Sequence, residues 1–426
     1  MKILILTHYY EPEIGAPQRR WSAFVEGWAK AGHEVCVVCP PPHYPDRETA
    51  AQWRGYGRLF HAGQGNHGET VVRVPYIMHG FSGAVRLADQ LLTATCSVAW
   101  VLWAAARGQR PDVIVATVPG IPSLLAGSLL SVALKRPCVA EFRDAWPDVI
   151  TGDIESQVGR QPLYAKIVKH ILFKSVTALQ KQADLCVTTT QGFAKTLAAR
   201  GAKKVIVISN GAEIQNFLNL EHKHRDDGVL RIQYLGTVGR SQGLNVLIEA
   251  LEILYQRGYQ RAVKLRIVGS GSDLPHLKAQ AKERGLDLEF LLPVPRERLQ
   301  EIYSWADVEL VSLKDTKPFR HTVPSKIFEL LSTQRRIIGL VSGEAAAILR
   351  SSGVSNVVPP EDSAALADAI EHLINNPAEL SVGTGGKYLL YTQYSYAMLT
   401  RRYLAALNSV VKQHHQRPES KITGEN

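Results

Sequence analysis

The chain has 426 residues, 45% of them apolar and 21% charged, with a formal net charge of +10 and a pI near 9.3. That is too long for one ordinary core and sets an expectation of two domains of about 200 residues. The composition is that of a globular protein rather than a disordered or fibrous one, and the cationic excess asks for an anionic partner: nucleic acid, acidic lipid or a phosphorylated substrate.

No zinc spacing, RNP-like aromatic strand or basic helix is present, so nucleic acid is set aside. The opening MKILIL runs straight into globular sequence, unlike a cleavable signal. Five cysteines, an odd number, point to a reducing compartment. Cys36 and Cys39 form a C-x-x-C, but HEVCVVCP reads as a buried strand, where residues three apart face opposite sides. A redox pair would open a helix, so these are read as core residues.

In chain order, strands are predicted at 2–7, 34–40, 70–75, 112–117, 137–142, 185–190 and 205–210. Trp21, Phe24, Val25, Trp28 and Ala29 recur at helical spacing between the first two. The longest apolar run, 91–106 (LLTATCSVAWVLWAAA), falls short of the ~20 residues of a membrane span. It reads either as a buried helix or as one lying in a membrane surface, with Arg86, Arg107 and Arg110 flanking it. After Asn210-Gly211 and a polar linker, 221–228, the pattern restarts with strands at 231–236, 264–269, 288–294, 308–313, 336–341 and 356–359. Val- and Ile-rich strands separated by helices predict an α/β protein with two doubly wound, Rossmann-like parallel-sheet domains, their ligand crevices facing across a cleft. The expected division is 1–212 plus 395–415, then 213–394, with 416–426 a disordered tail.

Residues suited to chemistry fall after strands. Gly15, in THYYEPEIGAPQRR, either admits a pyrophosphate close to the backbone or marks a plain turn. The first unit also offers EFRDAWPD, where Asp144 is either a base or hydrogen-bond partner for an acceptor hydroxyl, or a structural ion pair with Arg143. In LGTVGRSQG, Gly236, Gly239 and Gly243 keep a loop open, and Arg240 either meets a phosphate or is a solvated charge. IVGSGSDL places Gly269 and Gly271 at another strand end, and the loop of LPVPRERL, with Pro293, suits a base edge. The segment 319–331, FRHTVPSKIFELL, reads as a loop entering a helix through Pro324, with Ser325, Lys326 and Glu329 on the first turn. Free N–H groups and a lysine there predict an anion site, and an acidic residue alongside suits a diol. Together they suggest a nucleotide sugar. There is no Asp-x-Asp and no His/Cys/carboxylate cluster with metal spacing, so no metal is expected and Arg240 and Lys326 would neutralise a leaving diphosphate.

The segments YYEPEIGAPQRRW, GHEVCVVCP, VISNGAEIQNF, IVGSGSDLPHLKAQAKERGL, YSWADVELVSL, VPSKIFELL and VSGEAAAILRSSG, in this order, resemble glycosyltransferase family 4, of GT-B architecture, from Met1 to about Leu407. CPPPHYPD with RGYGRL, ATVPGIPSLLAGSLL and EFRDAWPD resemble a narrower branch similar to L-fucosamine transferases of bacterial surface-polysaccharide synthesis.

The resemblance implies that Glu329 holds ribose hydroxyls, that Ser325 and Lys326 grip the diphosphate, and that Gly15 lies under it. It places His321, with Arg320 beside it, at the donor sugar, where the family usually carries a glutamate. Other departures are Thr237 and Gln242 for the family's arginine and lysine, Gln334-Arg335-Arg336 for Gly-Lys-Pro, and Arg143 for a histidine.

The expected activity is retaining, metal-independent and cofactor-free, the nucleotide sugar being a substrate. It moves an N-acetylated or deoxy sugar, on UDP, to a polyprenyl-diphosphate-linked saccharide for O-antigen, capsule or exopolysaccharide. The expected place is cytoplasmic, peripheral on the inner face of the plasma membrane and attached to its anionic surface. The alternatives are a nucleotide-sugar 2-epimerase of the same fold, or a non-catalytic nucleotide-binding scaffold.

Overall fold

The computed structural model describes residues 1–13, 15–43, 58–78, 83–118, 120–148, 163–213, 220, 227–317 and 319–416. RGYGRL up to its last two residues, the end of CPPPHYPD, most of the 221–228 linker and the tail beyond 416 lie outside the described residues, as does part of VISNGAEIQNF. The chain divides into two compact units, Met1–Ser209 with Leu399–Asn426, and Asn210–Met398.

The first unit is an eight-stranded sheet: β1 (Lys2–Leu6), β2 (Glu34–Cys39), β3 (Ala62–Gln64), β4 (Thr70–Arg73), β5 (Val113–Val118), β6 (Cys138–Phe142), β7 (Leu185–Thr188) and β8 (Val205–Val207), in the order β3-β4-β2-β1-β5-β6-β7-β8. All pairings are parallel except that of β3 with β4. The sequence explains the order. VIVATV of β5 and CVAEF of β6 are buried throughout, as a strand covered on both faces must be, whereas AGQ of β3 is exposed and can only be an edge. That short antiparallel edge was absent from the sequence reading.

Helices α1 (Ala16–Lys30), α2 (Gly83–Ala106), α3 (Ile121–Leu134), α4 (Leu163–Gln182) and α5 (Gln191–Ala199) cover this sheet. α2 begins earlier than the apolar run suggested, and Val85–Ala106 is long and apolar enough to cross a membrane. It nevertheless lies on the sheet, with Ala94, Val101 and Ala104 packed against Leu4, Leu6 and Ile114. The CxxC expectation holds: Cys39 is buried, and burial pushes the Cys36 and Cys39 thiols up to about 12 and about 11, which keeps both protonated and inert.

The second unit has β9 (Leu230–Leu235), β10 (Val263–Val268), β11 (Leu288–Leu291), β12 (Val308–Ser312), β13 (Arg336–Leu340) and β14 (Ser355–Val358), all parallel, in the order β11-β10-β9-β12-β13-β14. Its helices are α6 (Asn245–Gln256), α7 (Leu274–Glu283), α8 (Leu299–Trp305), α9 (Lys326–Leu330), α10 (Gly343–Ser352), α11 (Ser363–Asn375) and α12 (Gly385–Leu389). α13 (Tyr396–His415) follows, and from Leu399 its residues belong to the first unit. Strand order reverses between β1 and β5 in one unit and between β9 and β12 in the other. In doubly wound sheets the loops beyond the carboxyl ends of such strands carry the ligand.

A buried polar hub secures the first unit. Arg20 on α1 donates from Nε to Glu141 Oε1 (2.9 Å) and from its two Nη atoms to the carbonyls of Ser209 (2.6 Å) and Ile208 (2.8 Å). Tyr403 on α13 donates to Glu141 Oε2 at 2.6 Å. A Cβ on Gly27 would lie 2.5 Å from Thr400 Cγ2, so glycine permits the close approach of α1 and α13. One charge pair thus joins the first helix, the sixth strand, the end of the last strand and the final helix.

Candidate active site

At the switch point of the second sheet, β9 is followed by Gly236, with φ 142°, and the chain turns away over the lysine of α9. A Cβ at Gly236 would lie 2.8 Å from Lys326 Nζ, so a side chain there would displace the ammonium. Nζ stands 3.6 Å above the ring of Tyr234, is buried, and has no hydrogen-bond partner among the described residues. Desolvation lowers its pKa to about 7, against the pull of Glu309 and Glu329. Among the described residues this ammonium is held by an aromatic face and distant carboxylates, an arrangement with room to accept an anion.

Glu329, one turn along, is half-buried, with Tyr303 Oη 3.5 Å from its Oε2. Ile327, Phe328, Leu330 and Leu331 fill the core opposite, which fixes the polar face outward. One expectation is corrected here. α9 has only five residues, too few aligned peptides for a sizeable dipole, so what its start offers an anion is the lysine rather than the helix terminus. Ser325 is its N-cap and makes no side-chain cap hydrogen bond.

The neighbouring loops approach through backbone. A Cβ at Gly269 (φ 154°) would meet Gly236 O at 1.9 Å, and one at Gly271 (φ 156°) would meet Val238 O at 2.2 Å. These two glycines therefore have a packing reason independent of any ligand. Gly239 caps the turn Arg240–Gln242, its N–H donating to Gln242 Oε1 at 3.1 Å, and Arg240 is exposed. Pro293 is exposed just beyond β11. His321 is exposed, whereas Arg320 is engaged by Asp315 through two hydrogen bonds of 2.8 and 2.9 Å. Gln334, which replaces a family glycine, keeps a left-handed backbone (φ 54°) and accepts from Lys387 Nζ at 2.7 Å.

Gly15 and Asp144 belong to the first unit. Gly15 is the N-cap of α1 in extended backbone, and a Cβ there would press on the Gln18 amide. Asp144 is exposed just beyond β6, next to Arg143. The neighbouring guanidinium is the more pointed feature: Arg143 Nε and Nη1 are buried without hydrogen-bond partners among the described residues, and burial lowers its pKa.

Sequence reasoning missed a cluster beside β1. His8 Nε2 lies 3.0 Å from Asp89 Oδ2, both residues buried, and His43 Nδ1 lies 3.4 Å from Glu13 Oε1. The two imidazoles meet edge to face, with centroids 4.9 Å apart. Asp89 sits within the apolar α2, where a lone acid was the one available signal.

Two doubly wound units, with a cation and a carboxylate at the second switch point, define a GT-B glycosyltransferase fold. Residues 15–211 match the glycosyl transferase 4-like domain, and residues 229–376 match glycosyl transferases group 1. The chain belongs to this glycosyltransferase family. It is 24% identical over 403 residues to the putative colanic acid biosynthesis glycosyl transferase WcaI of Escherichia coli, spanning 90% of this chain and 94% of that one. Its fold is similar to sucrose-phosphate synthase of Thermosynechococcus elongatus (TM-score 0.72, 16% identity, 97% and 99% covered). It is also similar to Anabaena HepE crystallised with UDP (TM-score 0.66, 15% identity, 96% and 100% covered).

Proposed function

We propose that this glycosyltransferase is retaining and metal-independent. It transfers an N-acetylated or deoxy sugar from a UDP-linked donor to a polyprenyl-diphosphate-linked saccharide during bacterial surface-polysaccharide assembly. The observation that carries the reading is the buried, unpartnered Lys326 ammonium beside Glu329 at the switch point. Lys326 and Arg240 take the diphosphate, and Glu329 takes the ribose diol. The acceptor hydroxyl attacks the anomeric carbon on the face the diphosphate leaves, and the departing phosphate oxygen receives its proton. Charge builds on that oxygen, and a preorganised cation there typically contributes several kcal/mol. The colanic acid assignment of the E. coli relative and the UDP in HepE support the pathway class and the base.

Attachment to the inner face of the membrane is part of the same reading. The outer faces of α2 and α3 expose Leu87, Leu91, Trp103, Leu129 and Val132, the last at 79%, and Arg107 stacks 3.9 Å over Trp103. An apolar face edged by arginine suits an anionic bilayer. A thermal-shift panel tests the donor: UDP-sugars should stabilise the chain by mass action, and stabilisation by GDP- or ADP-sugars alone would refute the assignment.

A further inference from the structure

Beneath Lys326, the second sheet carries a row of buried polar side chains that the reaction above does not use. Arg266 on β10, Gln233 on β9 and Glu309 on β12 are register neighbours, at places where apolar strands would ordinarily carry apolar residues. Arg266 Nε donates to Gln233 Oε1 at 2.7 Å, and Gln233 Nε2 donates to Glu309 Oε1 at 2.8 Å. Arg266 also donates to Ile302 O at 2.9 Å and stacks 3.8 Å over Trp305. The row ends on Glu309 Oε2, a fully buried oxygen with no hydrogen-bond partner among the described residues.

Three cations act on that carboxyl: Arg266 from β10, Arg335 from the turn before β13, and Lys326 from α9. For Lys326 the facing groups are Glu309 from β12, Glu329 on its own helix and the ring of Tyr234 from β9, and Glu309 outweighs Glu329. A carboxyl and an amine are thus buried within electrostatic reach, each with its terminal atom unpaired. Neither is fully at ease charged or neutral. Burial pushes Glu309 up to about 8 and Lys326 down to about 7.

We propose that Glu309 is a positioning residue for Lys326 and that the pair couples donor binding to uptake of a proton from solvent. The inference rests on the proposed diphosphate role of Lys326. Above pH 8 both groups are mostly deprotonated, so the empty site holds well under one proton. A diphosphate oxygen supplies the acceptor that Nζ lacks, the amine binds a proton, and the N–H formed is directed at the phosphate. The proton comes from the buffer, which is left one proton poorer. Glu309, anchored through Gln233 to Arg266, sets how readily the amine charges.

The test is calorimetric titration of the full chain with UDP at pH 8.5, in two buffers of different ionisation heat. The expected result is a buffer-dependent heat corresponding to uptake of most of a proton, with Kd rising toward a limit of about one decade per pH unit above neutrality. Glu309→Gln keeps the shape and the link to Gln233 but removes the counter-charge. It should weaken UDP binding several-fold at pH 8 and regain wild-type affinity as the pH falls to 6, a recovery that a purely structural role would not give. Equal heats in both buffers with UDP bound would overturn the coupling and leave the donor assignment standing. Absence of UDP binding would overturn the donor assignment and this inference with it.

Discussion

Replacing Glu141 by Gln removes the charge at the centre of the hub in the first unit and leaves Arg20 a buried cation facing carbonyls. Both side chains are fully buried, so solvent screens neither. Breaking such a pair from one side costs about 3–5 kcal/mol, because the surviving ion keeps its desolvation penalty. In a unit of this size that is a fall in Tm of roughly 6–20 °C. Tyr403→Phe removes one hydrogen bond to a charged acceptor and should cost about 1.5–3 kcal/mol. Urea denaturation of the full chain, followed by tryptophan fluorescence, reads both, since Trp28 meets Tyr403 edge to face with ring centroids 5.2 Å apart. The double variant Arg20→Met/Glu141→Gln should recover part of the loss, as the stranded cation is gone. A Glu141→Gln loss below about 1 kcal/mol, or purely additive losses in the double variant, would refute the hub.

Further outcomes follow from the second unit and the outer helices. Lys326→Met should lower turnover by about 10²–10³-fold while leaving Tm unchanged or higher, because it removes a buried ammonium that costs stability; kinetics and thermal melts check both. The folded carboxyl of Glu309 titrates near 8, above its unfolded value, so its stabilising contribution is complete below about pH 4.5 and lost as the pH rises through 8. Melts of Glu309→Gln should therefore fall less steeply over that window than those of the wild type. Gln334→Gly should raise stability by about 1 kcal/mol in denaturant titrations, since glycine takes a left-handed backbone without penalty. Trp103→Glu with Leu129→Glu should cut binding to vesicles containing anionic lipid at least about tenfold and spare the fold, as both residues are exposed.

The parallel strands were legible because a strand covered on both faces is apolar at nearly every position, and residues 3–6 or 113–116 advertise that directly. The edge strand Ala62–Gln64 has no such need, and its three small or polar residues carry no pattern. The start of α2 was hidden by Arg86 and Asp89, which break an apolar run without breaking a helix. Lys326 and Glu329 were readable from spacing, since three residues along a helix bring two side chains to one face. Gln233, Arg266 and Glu309 were not, because their meaning lies in lateral register between strands distant in sequence. His8 and Asp89 likewise stand 81 residues apart and meet only in the folded sheet.

The central claim is transfer of a sugar from a UDP-linked donor with Lys326 stabilising the leaving diphosphate. It is tested most directly by incubating the chain with a panel of UDP-sugars and a polyprenyl-diphosphate-linked saccharide, then reading the product by mass spectrometry and NMR. The expected product is an extended acceptor whose new linkage keeps the donor's anomeric configuration, and it should be lost with Lys326→Met. An inverted linkage, a product formed from donor alone, or undiminished transfer by the variant would contradict it.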